Sequence, residues 1–64
     1  MTYQIAYEIA DGTVENFMTE TSKARAIGAA RRAAKESPLN AAFGITRWLV
    51  DKCEQTIVWF EVAA

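Results

Sequence analysis

A single segment of the chain has the periodicity of an amphipathic helix, and this limits the folds open to the remaining residues. The segment covers residues 22–36, SKARAIGAARRAAKE, in which strong helix formers follow a serine. Ser22 is suited to the N-cap because its hydroxyl accepts a hydrogen bond from a free backbone N–H; Thr19 and Thr21 are alternative caps. Pro38 predicts the end of the helix, since the residue before a proline is disfavoured in the α region.

The predicted helix has an alanine-rich stripe, in which Ile27 is the only large side chain. Such a stripe fills little volume and therefore predicts close packing against a broad apolar surface, most naturally a β-sheet. Gly28 lies off the stripe and lowers helix stability by about 1 kcal/mol relative to alanine. The stripe consists of Ala26, Ile27, Ala30, Ala33 and Ala34. The opposite side carries Arg25, Arg31, Arg32 and Lys35, interpreted either as a solvated face or as a basic strip for phosphate or an acidic protein.

A first β-hairpin is predicted before the helix. Residues 2–10 alternate apolar and polar side chains, and residues 13–19 return after an Asp-Gly pair suited to a type I′ turn. A two-residue loop would place Glu8 opposite Glu15, which is unfavourable for two like charges. Two explanations stay open: the loop is longer and shifts the register, or the repulsion is tolerated because this side meets a cationic group.

A second hairpin is predicted after the helix, beyond a connection at residues 39–41. Residues 42–50 and 55–62 are rich in aromatic and β-branched side chains, which favours strands joined by a loop at 51–54. Gly44 in the first of these strands predicts a bulge or a close backbone approach.

The resulting order ββαββ predicts an α+β fold: a four-stranded, mainly antiparallel sheet with one helix packed on one face. The 64 residues are expected to form one domain, residues 1–64. The expected core is Tyr3, Ile5, Tyr7, Ile9, Val14, Ile27, Ala30, Ala34, Phe43, Ile45, Leu49, Val58, Phe60 and Val62.

Because one helix covers one face only, the other sheet face is expected to be exposed. The predicted alternation places Phe17, Trp48, Ile57 and Trp59 there, and an exposed patch with tryptophan is typical of a protein interface. The alternative is a different register that buries one tryptophan on the helix side.

The charges are segregated along the chain although the net charge is only −1. Five of the seven basic residues lie between Lys23 and Lys35. Opposed acidic and basic regions favour a protein partner, because complementary patches steer association; ordinary surface charge is the alternative interpretation. Direct nucleic-acid binding is disfavoured, since acidic groups on the aromatic face would repel phosphates. The residues before Lys23 include no basic residue and four acidic ones, Glu8, Asp11, Glu15 and Glu20.

The residue types needed for most catalytic or metal sites are missing. The chain has no histidine, the commonest general base and metal ligand, and Cys53 is its only cysteine. No phosphate-binding glycine loop or nucleophile motif is present, so we expect no enzyme activity, no metal site and no cofactor. The lone cysteine indicates a reducing compartment. Without a signal-peptide pattern or a long apolar run, the expected location is the cytoplasm.

The chain resembles the small proteins encoded by phages and mobile elements, in particular the anti-CRISPR inhibitors. The features that carry this resemblance are the strand YQIAYEI, the helix opening TSKARAIGAARRAA and the closing hairpin ITRWLVDKCEQTIVWFEV, which together make a mini-domain without an active site. The resemblance implies a stoichiometric inhibitor that acts in the bacterial host cytoplasm by covering a CRISPR-Cas effector subunit. Some inhibitors of this class imitate DNA with acidic patches, for which the near-balanced net charge is a departure. The acidic candidates here are Glu8, Asp11, Glu15 and Glu20.

We therefore expect a small non-enzymatic module that binds another protein. The predicted contact residues are Trp48, Trp59 and Phe17, with the same four acidic residues. A homodimer that hides the exposed sheet face, with a structural or regulatory role, is the alternative. A nucleic-acid-binding module is the third possibility.

Overall fold

The computed structural model describes residues 2–62 and confirms the α+β class. Within these residues a four-stranded sheet is packed against one long helix, and a second, short helix follows the first. The elements in chain order are β1 (Tyr3–Ile9), β2 (Val14–Glu20), α1 (Lys23–Glu36), α2 (Leu39–Phe43), β3 (Ile45–Lys52) and β4 (Gln55–Glu61).

The four strands pair in the order β2-β1-β3-β4, and every pairing is antiparallel. The two hairpins are therefore joined through β1 and β3, the central strands, while β2 and β4 are the outer strands. We call the face that carries both helices the helix side, and the opposite face the open face.

Helix α1 begins where the sequence predicts. The Ser22 hydroxyl accepts a hydrogen bond from the backbone N–H of Arg25 at 3.3 Å, which satisfies one of the free donors of the first turn. Ala26, Ala30 and Ala34 are buried against the sheet. Small side chains at this contact let the helix lie close to the strands, as the alanine stripe predicts.

Helix α2 is absent from the prediction, which assigned residues 42–50 to a strand. Pro38 precedes the new helix with φ −65°, and Gly44 follows it in the left-handed conformation at φ 66°. Proline at a helix start and a left-handed glycine at its end are typical boundaries. Gly44 therefore ends a helix and does not mark a bulge, and β3 begins only at Ile45.

The predicted face of β3 is wrong from Arg47 onward, because one extra residue lies near the start of the strand. Ile9 pairs with Ile45 and Glu8 with Arg47, so Thr46 bulges out of the ladder. A bulge of one residue reverses the alternation of every later side chain. As a result Trp48 is buried on the helix side, and Leu49 lies on the open face.

The core is consequently built from β1, β3 and α1. Partly buried side chains from the ends of the sheet surround it, among them Tyr7, Val58 and Phe60. Val14 and Phe43, both expected in the core, are instead about half exposed. The buried core cluster is Ile5, Ala26, Ala30, Ala34, Ile45, Trp48 and Val50.

The first hairpin has a longer loop than the Asp-Gly pair alone. Residues 10–13 separate the strands, and the backbone N–H of Ile9 donates to the carbonyl of Thr13 at 2.9 Å. The register is therefore shifted: Glu8 pairs with Val14, and Glu15 pairs with Tyr7. The expected Glu8–Glu15 opposition does not occur.

The second hairpin has a tighter loop than predicted. β3 continues to Lys52, and only two residues connect it to β4. Both Cys53 (φ 53°) and Glu54 (φ 63°) have positive φ, as a type I′ turn requires, although neither is glycine.

Candidate protein-binding surface

The open face consists of three rows of side chains that cross all four strands. Its members follow from the strand register and from the burial of Ile5, Trp48 and Val50 on the other side. The first row is polar: Thr19, Gln4, Asp51 and Thr56. The middle row is Asn16, Ala6, Leu49 and Trp59. The last row is Val14, Glu8, Arg47 and Glu61.

The middle row gives the open face an apolar centre. Ala6 and Leu49, on the two central strands, are buried, with exposures of 0% and 7%. Trp59 follows them on the outer strand β4 and is 52% exposed. Trp59 is therefore the part of this row that a partner can reach, and a half-exposed tryptophan is a feature of protein-binding sites, where it frequently supplies much of the affinity.

The last row holds a cation between two carboxylates. Arg47 lies 3.4 Å from Glu8 and 3.5 Å from Glu61, and its guanidinium carbon is 5.8 Å from the centre of the Trp59 ring. These contacts restrain the arginine beside the indole, in an arrangement that favours a cation–π interaction. Both ion pairs are partly solvated, so they contribute little to stability.

The guanidinium of Arg47 has unused hydrogen-bonding capacity. Its Nε atom is buried, yet it forms no hydrogen bond within residues 2–62, because Glu8 is near in distance but poorly aligned. A buried donor without an acceptor costs free energy. A small reorientation of the neighbouring Glu8 carboxylate would satisfy this donor.

The polar row borders a shallow depression of about 420 Å³ at the β3–β4 turn. Thr56 donates to the carboxylate of Asp51 at 2.7 Å, which fixes one wall. Cys53 is exposed in the turn and lines this depression. The depression is lined by Thr2, Gln4, Asn16, Asp51, Cys53 and Glu54.

Two of the three predicted aromatic contacts do not lie on the open face. Trp48 is fully buried on the helix side, where its indole N–H donates to the side-chain oxygen of Asn40 at 2.7 Å. Phe17 bulges from β2 and meets the Trp48 ring edge-on at 5.1 Å between centroids, so it also lies on the helix side. Trp59 alone of the three is on the predicted surface; Ile57, the extra residue of β4, is exposed.

The four predicted acidic contacts are also divided. Glu8 is on the open face, engaged with Arg47. Asp11 organises the first loop: its carboxylate accepts a hydrogen bond from the backbone N–H of Thr13 at 2.8 Å, and hydrogen bonding to Thr13 lowers the pKa of Asp11. Glu15 and Glu20 pair with Tyr7 and Tyr3 across the β1–β2 ladder, which places them on the helix side.

Arg47 and Leu49 complete the open face but are missing from the predicted contact set. No local signal in ITRWLV identifies Thr46 as an extra residue, and the face of both side chains depends on it. The arginine between two glutamates becomes visible only once Glu8, Arg47 and Glu61 are in register across three strands.

Comparisons with protein-family models, with curated proteins and with solved structures found no match. In residues 2–62 no helix is long and apolar enough to cross a membrane. No three His, Cys, Asp or Glu side chains in that part of the chain are grouped so that they would hold a metal ion. The surface itself is therefore the basis for a functional proposal.

Proposed function

We propose that this chain is a small non-enzymatic module that binds another protein through the open face of its sheet. More specifically, we propose that it is a stoichiometric inhibitor of the anti-CRISPR type, which covers the surface of a bacterial CRISPR-Cas effector subunit in the cytoplasm. The observation that carries the proposal is the half-exposed Trp59 on a sheet face that neither helix covers.

The layout of the open face supports a protein ligand. An interface of this kind needs an apolar centre that is dehydrated on binding and a polar rim that sets orientation. Trp59, which lies beside the buried Leu49, supplies the apolar group, and the flanking rows supply carboxylates, amides and hydroxyls. Arg47, restrained beside the indole, adds a donor of the type enriched at such sites.

The charge of the open face favours a basic partner. Among the residues that the structure describes, this face carries three carboxylates, Glu8, Asp51 and Glu61, and one cation, Arg47. Two copies packed face to face would bring these carboxylates together, which disfavours a homodimer, and phosphates would be repelled in the same way. Protein surfaces that bind nucleic acid are basic, so the effector of a nuclease complex has the complementary charge.

The proposal is tested by adding the purified chain to purified CRISPR-Cas effector complexes and measuring DNA cleavage. We expect cleavage to fall until the chain and its target effector are equimolar. Trp59→Ala should weaken the inhibition about thirtyfold or more, since an exposed tryptophan buried by a partner contributes at the level of a binding hot spot. Cleavage unaffected across the effector types would contradict the inhibitor function.

A matched variant separates the open face from the rest of the surface. Arg32→Ala also truncates a long exposed side chain, but on the outer side of α1, so it should inhibit like the wild type. Circular dichroism must show that both variants are folded. An equal loss of inhibition in Trp59→Ala and Arg32→Ala would exclude the open face as the contact. If sedimentation shows that the wild type is a dimer and that Trp59→Ala is a monomer, the homodimer is favoured instead.

A further inference from the structure

A depression lies on the helix side of the sheet, at the outer strand β2. It has a volume of about 270 Å³ and is lined by Tyr7, Ile9, Glu15 and Phe43. The Tyr7 and Phe43 rings are stacked, with centroids 6.3 Å apart and planes inclined by 22°. We call this site the aromatic depression; none of its lining residues belongs to the open face.

The aromatic depression is suited to a cationic side chain. Glu15 is exposed, and both ion pairs found within residues 2–62 involve Arg47, so its carboxylate has no cation there. The carboxylate of Glu15 would pair with a guanidinium or ammonium group, while the aliphatic part of an Arg or Lys side chain packs against the two rings. An apolar side chain would be less suitable, because it would exclude water from Glu15 without providing a partner.

The aromatic depression adjoins an available strand edge. β2 is the first strand in the sheet order, so within the described residues its outer backbone groups have no neighbouring strand. Six of its seven residues are exposed. Because Phe17 bulges from the ladder, the regular part beside the depression is its beginning, residues 14–16. An extended segment hydrogen-bonded there would place alternate side chains on the helix side.

A second copy of β2 is a poor occupant of this edge. The strand has the sequence VENFMTE, with Glu15 and Glu20 on the helix side and no basic residue. Pairing two such strands would bring carboxylates together and leave the aromatic depression without a cation. The occupant that satisfies both the backbone edge and the carboxylate is an extended segment of another protein with Lys or Arg among its residues.

We propose that the beginning of β2 binds an extended basic segment of a partner protein, whose Lys or Arg side chain enters the aromatic depression beside Glu15. This contact is independent of the open face and of its proposed function. A partner that engages both surfaces would hold the domain from two sides of the sheet.

The test uses two synthetic hexapeptides, acetylated and amidated, of sequence Thr-Val-Thr-X-Thr-Val. X is arginine in one and citrulline, its neutral isostere, in the other. Nitrogen-15 NMR titration of the whole chain should show saturable shifts at β2, with the arginine peptide binding about three- to fivefold more tightly. Equal binding of the two peptides, absence of shifts at β2, or shifts centred on Trp59 would overturn the proposal.

A pair of variants tests the role of the carboxylate. Glu15→Gln keeps the side-chain shape and should abolish the preference for arginine. Glu54→Gln neutralises an exposed carboxylate in the β3–β4 turn, outside the aromatic depression, and should preserve the preference. A preference that survives Glu15→Gln, in a variant whose spectrum is otherwise unchanged, would refute the assignment of the cation to this site.

Discussion

Asn40 joins three parts of the fold, and replacing it should destabilise the domain more than its modest size suggests. Its side-chain oxygen accepts the indole N–H of Trp48 at 2.7 Å. Its amide nitrogen donates to the carbonyls of Ala33 at 2.7 Å and Ala34 at 3.4 Å, in the last turn of α1. One side chain thus links α2, the end of α1 and the central strand β3.

The magnitude follows from the groups that Asn40→Ala leaves behind. Trp48 is fully buried, so its N–H would lose its partner without gaining water, at a cost of about 1–3 kcal/mol. Ala33 still accepts the backbone N–H of Ser37 at 3.0 Å, so its carbonyl keeps one bond. The hydrogen bonds donated by the amide are also lost. We therefore expect Asn40→Ala to lower the free energy of unfolding by about 2–3 kcal/mol, which corresponds to a decrease in Tm of about 10 °C or more in a domain of this size.

The measurement is urea unfolding followed by far-ultraviolet circular dichroism. Asn16→Ala is the matched control, because Asn16 is an exposed amide on β2 and makes no side-chain hydrogen bond to the described residues. A double-mutant cycle with Trp48→Phe isolates the indole bond, and we expect a coupling of about 1 kcal/mol. An unfolding midpoint unchanged by Asn40→Ala, or zero coupling, would refute this account of Asn40.

Two further predictions test the helix and the first loop. Gly28→Ala should stabilise the domain by about 1 kcal/mol, since a Cβ at this position meets no atom within 4 Å and its backbone is helical; a lower Tm in calorimetry would contradict this. Asp11→Asn should make the stability depend less on acidic pH. The pKa of Asp11 is lower in the folded protein than its ordinary value of 3.8, so the ionised carboxylate stabilises the fold above pH 3.8, and this stabilisation is lost as the pH falls through the lowered pKa. Thermal unfolding of the wild type and of Asp11→Asn at neutral pH and below pH 3.8 checks this. An equal decrease in Tm on acidification of the two proteins would exclude a contribution from Asp11.

The fold class and α1 could be predicted because their signals are local. Ser22 caps the helix with its own hydroxyl, Pro38 restricts the residue before it, and the alanine stripe has the period of the helix. Helix α2 is too short to show a period. Its boundary residues, Pro38 before and Gly44 after, are nevertheless visible in the sequence and are the signal by which it could have been identified.

The candidate surface could be predicted only in part, because the face on which a strand residue lies depends on every bulge that precedes it in the strand. Trp59 is correctly placed because β4 keeps its alternation from Val58 to Glu61. Trp48 is misplaced because the bulge at Thr46 precedes it, and Phe17 because it is itself the extra residue of β2. These irregularities are set by pairing with neighbouring strands, and tertiary contacts of that kind leave little trace in the local sequence.

Because Thr46 is an extra residue in β3, the number of residues in this strand decides which of its side chains are buried. The Thr46 hydroxyl donates to the carbonyl of Glu8 at 3.1 Å, which fastens the bulge to β1. Deletion of one residue there would move every later side chain of the strand to the opposite face of the sheet. Trp48 would then lie on the open face, and Leu49 would lie on the helix side beneath α1. During evolution this strand should therefore tolerate substitutions far better than single-codon insertions or deletions.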